Sequence, residues 1–361
     1  MVQNGWRVTV YCQGEPGSPC TVDYWEGCRR IHIPVRRRGV LGTIEFDIRA
    51  TLHALNCRGL LLTLGYNTGF LALLIRLCGR MHMVNMDGIE WRRSKYRRPS
   101  KLYLLLNEWL AATSANRLIA DHPEIARHHA HQVRAAKLTM IPYGAERIES
   151  ADQTILERFG LAPDSYFILI ARPEPENAIL EIVRAFSQAP RGMKLVVLGN
   201  YNAPRPYLRK VRGAASAEVL FPGAIYDKPT LHALRLHARA YVHGHSVGGT
   251  NPSLVEALGA ANAVLARDNR FNRWVAGSAA RYFDDEATCA AGFAALIADE
   301  ALVAALRREA VHRWAQDFTW DRVLAAYQSL AEECLEAGKR PQEAWQPASP
   351  SLALPLTSHA Q

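Results

Sequence analysis

The run His245-Ser246-Val247-Gly248-Gly249-Thr250-Asn251-Pro252-Ser253-Leu254-Val255-Glu256-Ala257-Leu258-Gly259 has the residue types of an anion site. It follows an apolar stretch, Ala238–Val242, that reads as a buried strand. Gly248 and Gly249 let the backbone approach a ligand closely. Thr250 or Asn251 suits a helix cap, and Pro252 suits a first helical position, with Ser253 beside it in the first turn. The free amides and the positive end of the helix dipole then face a phosphate. Glu256 lies one turn further on, where a carboxylate accepts two hydrogen bonds from a ribose diol. The same spacing equally describes a plain strand-to-helix connection with a surface glutamate.

Other residues with chemical potential sit where strands are expected to end. Arg172 can grip phosphate oxygens in bidentate fashion; the bland alternative is a salt bridge to Glu174 or Glu176. Asn177 suits the cap of the next helix, whose amides would face an anion, or serves as a cap alone. Asn269 belongs to the polar, basic segment Asp268–Arg273, which is either a sugar or phosphate contact or an ordinary loop. Asp87 in Asn85-Met86-Asp87-Gly88-Ile89-Glu90-Trp91 is placed to act as a base or orienter; a turn aspartate before glycine is the alternative. In Asp121-His122-Pro123, His122 can donate to a sugar or share a proton, while Asp121 reads as the cap of the helix begun by Pro123. Tyr66, Asn67 and Thr68 form a polar turn at another expected strand end. His128, His129 and His131 read as solvent-facing residues of a helix rather than metal ligands.

Strands expected at Trp6–Cys12, Arg30–Pro34, Leu60–Leu64, Met81–Met86, Arg117–Ala120 and Leu138–Pro142 alternate with helices at Ile44–Ala54, Phe70–Leu77, Lys101–Ser114 and Pro123–His131. A second alternation runs from Tyr166 to Phe283. One long helix follows at Ala287–Ala315, and a last one at Asp321–Leu335. Strands alternating with helices imply parallel, doubly wound sheets. Such sheets place ligands beyond the carboxyl ends of their strands. The expected division is 1–145 for one Rossmann-like domain and 146–338 for a second with its carboxyl-terminal helix, with 339–361 a disordered tail. The start reads as a helix end closed by Asn4-Gly5, so a strand and glycine-rich turn are expected to be missing before it.

The chain of 361 residues carries a formal charge of +9, which favours anionic partners such as nucleotides or lipid head groups. No nucleic-acid module is legible. Its seven cysteines match no zinc spacing and read as reduced, mostly buried thiols of a cytoplasmic protein. No signal peptide is read, and Leu60–Leu77, broken by Gly65, Asn67, Gly69 and Arg76, is not a membrane span. The basic segment Arg92–Arg98 precedes an amphipathic helix whose apolar side chains are Leu102, Leu105, Leu106, Trp109 and Leu110. That face reads as core, with the arginines free to meet the inner face of a membrane as a peripheral contact.

The segment GGTNPSLVEALGAANAVLARDN resembles the donor-site block of nucleotide-sugar glycosyltransferases of the GT-B fold, in retaining family four. With TLGYNTGF, VNMDGIEWRRSK, LIADHPEIARH, IPYGA and ARPEPENAILEIVRAF, the chain resembles a bacterial rhamnosyltransferase-like subgroup associated with surface polysaccharide assembly. The resemblance runs from Trp6 to Glu336. It implies two Rossmann-like domains facing a cleft, a nucleotide-diphosphate sugar donor, a saccharide or lipid-linked saccharide acceptor, and neither metal nor cofactor. It makes 1–145 the acceptor side, lined by Tyr66, Asn67 and Thr68, and 146–338 the donor side; it places Arg172, Asn177, Gly248, Gly249, Thr250, Asn251, Ser253, Glu256 and Asn269 with the donor, and Asp87, as base or orienter for the acceptor hydroxyl, and His122 nearest the reaction. Two departures stand out. Gly248 occupies the position of the first glutamate of E-x-x-x-x-x-x-x-E, and Glu174-Pro175-Glu176-Asn177 supplies no lysine after Arg172. Neutralisation of the diphosphate then rests on Arg172 and backbone amides, with Arg267 or Arg270 in reserve. A non-catalytic nucleotide-sugar-binding scaffold and a GT-B epimerase remain open beside the transferase.

Overall fold

A computed structural model describes residues 1–93, 95–201 and 205–339; the expected tail lies almost wholly outside these. The first half opens with β1 (Thr9–Gly14), β2 (Thr21–Trp25) and β3 (Cys28–Pro34), which form a small sheet of order β1-β3-β2. β2 is antiparallel to β3 across the turn at Glu26-Gly27, both with positive φ, as a tight hairpin requires. It escapes a sequence reading because every residue in it is exposed, so no core face imposes alternation. Then come α1 (Gly39–Leu55), β4 (Leu61–Leu64), α2 (Phe70–Leu77), β5 (His82–Asn85), α3 (Arg98–Ser114), β6 (Arg117–Ala120), α4 (Pro123–Ala130) and β7 (Leu138–Met140). The last four strands make a separate parallel sheet, β4-β5-β6-β7.

The second half contains β8 (Tyr166–Ile170), α5 (Ile179–Ser187), β9 (Lys194–Leu198), α6 (Pro206–Gly213), β10 (Val219–Gly223), α7 (Lys228–Leu236), β11 (Ala240–His243), α8 (Pro252–Gly259), β12 (Ala263–Arg267), α9 (Arg270–Ala276) and β13 (Ala280–Phe283). These strands form one six-stranded parallel sheet, β10-β9-β8-β11-β12-β13. Strand order reverses between β8 and β11, and the crevice beyond their carboxyl ends is the natural ligand position of such a sheet. The central strands are buried on both faces, which is why they read as unbroken apolar runs such as FILI and LVVL.

The expected single helix after β13 is two, α10 (Glu286–Ala298) and α11 (Glu300–Asp317), bent by 101°. Asp299 takes an extended conformation between them and caps α11 by accepting from the Leu302 amide at 2.8 Å. The bend lets Phe293 of α10 meet Phe167 and Phe186 edge-to-face at 5.0 Å each. Among the described residues no single helix is long and apolar enough to cross a membrane.

Helix α12 (Trp320–Lys339) does not stay with the second sheet. Its Val323, Leu330, Ala331 and Cys334 share a core with Met83, Ile119 and Ile141 of the first half. Tyr327 on α12 accepts from Asn85 Nδ2 at 2.7 Å. Assigning this helix to the donor half by sequence order is therefore corrected: its apolar stripe fits the open side of the first sheet.

The expected core face of α3 is also corrected. Leu102, Leu105, Leu106 and Trp109 are 68, 41, 53 and 54% exposed. The helix instead buries Leu104, Asn107, Glu108, Ala111 and Ala112. A polar pair on the buried face hides it from any hydrophobic pattern. The thiols are likewise less buried than expected: only Cys289 and Cys334 are buried, and Cys20 and Cys78 are exposed.

Candidate functional site

The glycine-containing loop leaves β11 at His243 and reaches α8 at Pro252. Gly248 has φ +136°, a conformation that side chains rarely tolerate. A Cβ on Gly249 would lie 2.3 Å from both carboxylate oxygens of Asp121, so only glycine fits that close approach. Asn251 caps α8, its Oδ1 accepting from the Ser253 amide at 3.1 Å. The Ser253 hydroxyl is turned away from the loop: it donates to Ile170 O and pairs with the Tyr241 hydroxyl.

Glu256 sits one turn into α8 and is half-exposed. One of its oxygens pairs with the buried Arg235 of α7. Arg172, just beyond β8, has an exposed side chain. Its bland alternatives are taken by others, because Glu174 pairs with Arg205 at 3.0 Å and Glu176 pairs with Arg93 at 3.0 Å. Arg172 therefore faces the crevice close enough to act electrostatically on Asp87 and His245.

Asn177 does not cap α5, whose cap position is Ala178 with φ +49°. Its Nδ2 donates instead to Arg172 O at 2.7 Å, fixing the backbone that presents the arginine. Asn269 is the cap of α9, a helix the sequence reading left as loop. Its Oδ1 accepts from the amides of Phe271 and Asn272, and its Nδ2 donates to His245 O at 2.9 Å. Both residues act on the site by bracing it. Arg270 pairs with Glu124 across the cleft at 2.8 Å and is not held in reserve for phosphate.

On the first-half wall, the expected roles of Asp121 and His122 are exchanged. His122 caps α4, its Nδ1 accepting from the Glu124 amide at 3.0 Å. Its Nε2 lies 3.3 Å from Phe271 O of the other half, and its ring packs between Phe271 and Trp274. The side chain is fully buried, and burial lowers its pKa to about 4. With both nitrogens engaged and burial disfavouring its charged form, His122 joins the two halves.

Asp121 instead points across the cleft. Its Oδ2 accepts from the Thr250 amide at 2.8 Å, and its carbonyl accepts from the Thr250 hydroxyl. Burial, with the nearby Asp87, pushes its carboxyl up to about 7, and Oδ1 has no partner.

Asp87 takes φ +51°, held there by a 2.9 Å bond from its amide to Asn85 Oδ1. Its carboxyl is open to solvent yet walled by the cleft, and that desolvation, with Glu90 beside it, raises its pKa. Gly88 next to it meets Gly248 of the opposite loop; a Cβ there would be 3.7 Å from Gly248 Cα.

The acceptor-side residues divide. Tyr66 is buried, donating to Gly88 O at 3.1 Å and accepting from the Glu90 amide at 2.6 Å. Thr68 is buried too and donates to Asp47 at 2.8 Å. Tyr66 thus braces the Asp87 loop and Thr68 ties its turn to α1, while Asn67 is the exposed one of the three.

Sequence reasoning missed Arg93, Glu176 and His245. Arg93 bonds Glu90 at 2.6 Å on its own side and Glu176 at 3.0 Å across the cleft. Arg93 Nε, Glu176 Oε2 and His245 Nδ1 are buried without partners. Buried polar atoms are nearly always satisfied, so a cluster of orphans in one cleft asks for a polar ligand. The signal was the Glu174–Asn177 segment, whose glutamates are unusual so near a phosphate site. Of the three histidines expected to face solvent, His131 is exposed, but His129 is 1% exposed and His128 pairs with the buried Glu108 at 2.7 Å.

Comparison with known proteins agrees with this geometry. Residues 1–144 match the family model described as a glycosyl transferase 4-like domain. No curated protein matches the chain in sequence. Sucrose-phosphate synthase from Thermosynechococcus elongatus is similar in structure, with TM-score 0.77 and 17% identity over 93% of this chain and 91% of that one. HepE of Anabaena in complex with UDP-glucose has TM-score 0.69 and 14% identity, covering 86% of each chain. A UDP-forming α,α-trehalose-phosphate synthase from Burkholderia xenovorans, in complex with glucose-6-phosphate, has TM-score 0.68 and 12% identity over 91% and 93%. The chain thus has the GT-B glycosyltransferase fold, with two doubly wound α/β halves facing a cleft.

Proposed function

We propose that this protein is a glycosyltransferase that moves a sugar from a nucleotide-diphosphate donor to a saccharide or lipid-linked saccharide acceptor. The observation that carries the reading is the meeting, at the strand-order reversal, of the amide-rich start of α8 with the carboxyl groups of Asp87 and Asp121. The nucleotide-sugar ligand of a structural neighbour supports the substrate class. The sequence resemblance favours rhamnose as the sugar, retention of anomeric configuration, and a place in surface glycan assembly.

In this reading the diphosphate lies against the Gly249–Asn251 amides with Arg172 on its oxygens, and Glu256 takes the ribose. The bond from the anomeric carbon to the diphosphate oxygen breaks, and charge collects on the leaving group. The helix start and Arg172 stabilise that charge; removing one such group typically costs ~10²–10³ in rate. The acceptor hydroxyl forms the new bond to the anomeric carbon. Asp87, with its raised pKa, orients that hydroxyl and receives its proton. Glu176 Oε2 supplies a carboxylate oxygen for a sugar hydroxyl where Gly248 replaces the usual glutamate.

The exposed Leu102, Leu105, Leu106 and Trp109 of α3, with Arg97, Arg98 and Lys101 at its start, form the surface for peripheral contact with anionic lipid. Arg93, from the same basic stretch, faces the cleft instead.

The test is a panel of nucleotide sugars and acceptors, read by nucleoside-diphosphate release from wild type and from Asp87→Asn. Acceptor-dependent release lost in the variant is expected. Nucleotide binding without release would leave a binding scaffold, and conversion of donor without acceptor an epimerase.

A further inference from the structure

Helices α3 and α4 bring a second group of side chains together away from the donor loop. Glu108 is fully buried on α3; His128 and His129 are on α4. One ligand atom from each lies within 4.8 Å of the other two. His128 Nε2 is 2.7 Å from Glu108 Oε1, and the other carboxylate oxygen accepts from Trp91 Nε1 at 2.9 Å. Gln132 approaches both members, with Nε2 3.2 Å from Glu108 Oε1 and Oε1 3.3 Å from His129 Nδ1.

We propose that Glu108, His128 and His129 form a site for a divalent transition-metal ion, of which Zn²⁺ is the representative. Two imidazoles and one carboxylate are a three-ligand set typical of zinc, with metal–ligand distances of about 2.0–2.2 Å. Ligand atoms so bound stand roughly 3.3 Å apart in tetrahedral geometry, so the present spacing needs only small side-chain shifts. The cation takes the place of the proton shared between His128 and Glu108. Trp91 is the outer-shell donor that orients the carboxylate, and Gln132 Oε1 or water completes the shell. His128, partly exposed, gives the ion its way in.

The consequence for the molecule is local. Trp91 ends the loop that carries Asp87 and Glu90, so a bound ion anchors that loop to α3 and α4. This proposal stands independently of the donor reading, because it invokes no substrate.

The experiment is Zn²⁺ titration of the full chain after EDTA treatment and desalting, with metal content measured by mass spectrometry. Co²⁺ absorption is the second probe of geometry. One equivalent of Zn²⁺ is expected in wild type, with tetrahedral Co²⁺ bands and a raised melting temperature. Glu108→Gln and His128→Ala should each lose that equivalent, while His131→Ala, outside the cluster, retains it. Trp91→Phe should weaken binding by about 10–100-fold, the usual effect of removing an outer-shell partner. Circular dichroism establishes that each variant is folded; Glu108→Gln preserves side-chain shape if His128→Ala does not fold. Absence of a stoichiometric site in wild type, or its persistence in both Glu108→Gln and His128→Ala, overturns the proposal.

Discussion

Replacing Asp121 by asparagine should make nucleotide binding tighter at high pH and leave it unchanged at low pH. The Asp121 carboxyl sits on the Thr250 amide at 2.8 Å, on the same helix start that would receive a diphosphate. An anion bound there would come within roughly 5 Å of it. At an effective dielectric of about 20, two unit charges at that distance repel by about 3 kcal/mol, a factor of ~100 or more in affinity. The carboxyl titrates near 7, raised by burial and by Asp87. It is about one-tenth ionised at pH 6 and about nine-tenths ionised at pH 8. Ligand binding in the wild type then requires proton uptake at pH 8, and UDP affinity should fall about tenfold between the two pH values from this group alone. UDP has its own titration, so the quantity to measure is the ratio of variant to wild-type affinity by calorimetry. The expected ratio is near one at pH 6 and about ten at pH 8. A ratio that stays constant with pH would refute the argument, since it would mean that the Asp121 charge does not oppose the ligand.

The same group has a stability consequence with a definite sign. A carboxyl whose folded pKa is raised binds its proton more tightly in the folded chain. Asp121 therefore stabilises the fold most at low pH, and that contribution is lost as pH rises from about 4 towards 7. The Asn variant should lack this slope.

Four further outcomes follow from the geometry. Arg172→Ala should weaken UDP binding by roughly 10- to 100-fold, the worth of charge-assisted hydrogen bonds, and uridine hardly at all; equal loss for both ligands would remove the arginine from the diphosphate. Gly249→Ala forces a methyl group onto the Asp121 carboxylate and should open the cleft, read as a larger radius of gyration in small-angle scattering; an unchanged radius contradicts the contact. His122→Ala should lower the melting temperature, since it removes a helix cap worth about 1 kcal/mol and a ring packed on Trp274. Because His122 is held neutral with its pKa near 4, wild-type stability from this residue is lost as pH falls below the ordinary histidine range, and a variant with the same acid slope as wild type would speak against it. Leu105→Glu with Leu106→Glu should abolish co-sedimentation with phosphatidylglycerol vesicles; retained sedimentation would clear α3 of membrane contact.

The fold was legible wherever a strand or helix had one dominant environment. Arg117–Ala120 and Phe70–Leu77 begin and end where their residues say, because the local pattern and the packing agree. β2 was not legible, being exposed throughout, nor was α3's inward face, which buries Asn107 and Glu108 where a pattern expects leucines. Asp299 broke the long terminal helix because a capping aspartate inside a helical pattern carries no signal until tertiary packing rewards the bend.

At the candidate site, the loop and the helix it opens were readable from local spacing, which left the cap between Thr250 and Asn251; the structure puts it on Asn251. The cross-cleft pairs were not. Asp121 with Thr250, and Arg93 with Glu176, join residues far apart in the chain. Adjacent Asp121 and His122 exchanged their expected roles because either side chain can cap a helix, and only the position of the opposite wall decides which one does.

The account stands on a nucleotide-sugar donor lying between the start of α8 and Arg172, with its ribose on Glu256. The most direct test is calorimetric titration of the full chain with UDP and dTDP, beside Glu256→Ala and with inorganic pyrophosphate as a ligand lacking ribose. One nucleotide should bind wild type in a single site and lose affinity in the variant, while pyrophosphate binds both alike. A folded wild-type chain that binds neither nucleotide, or a Glu256→Ala chain that binds as tightly as wild type, would contradict it.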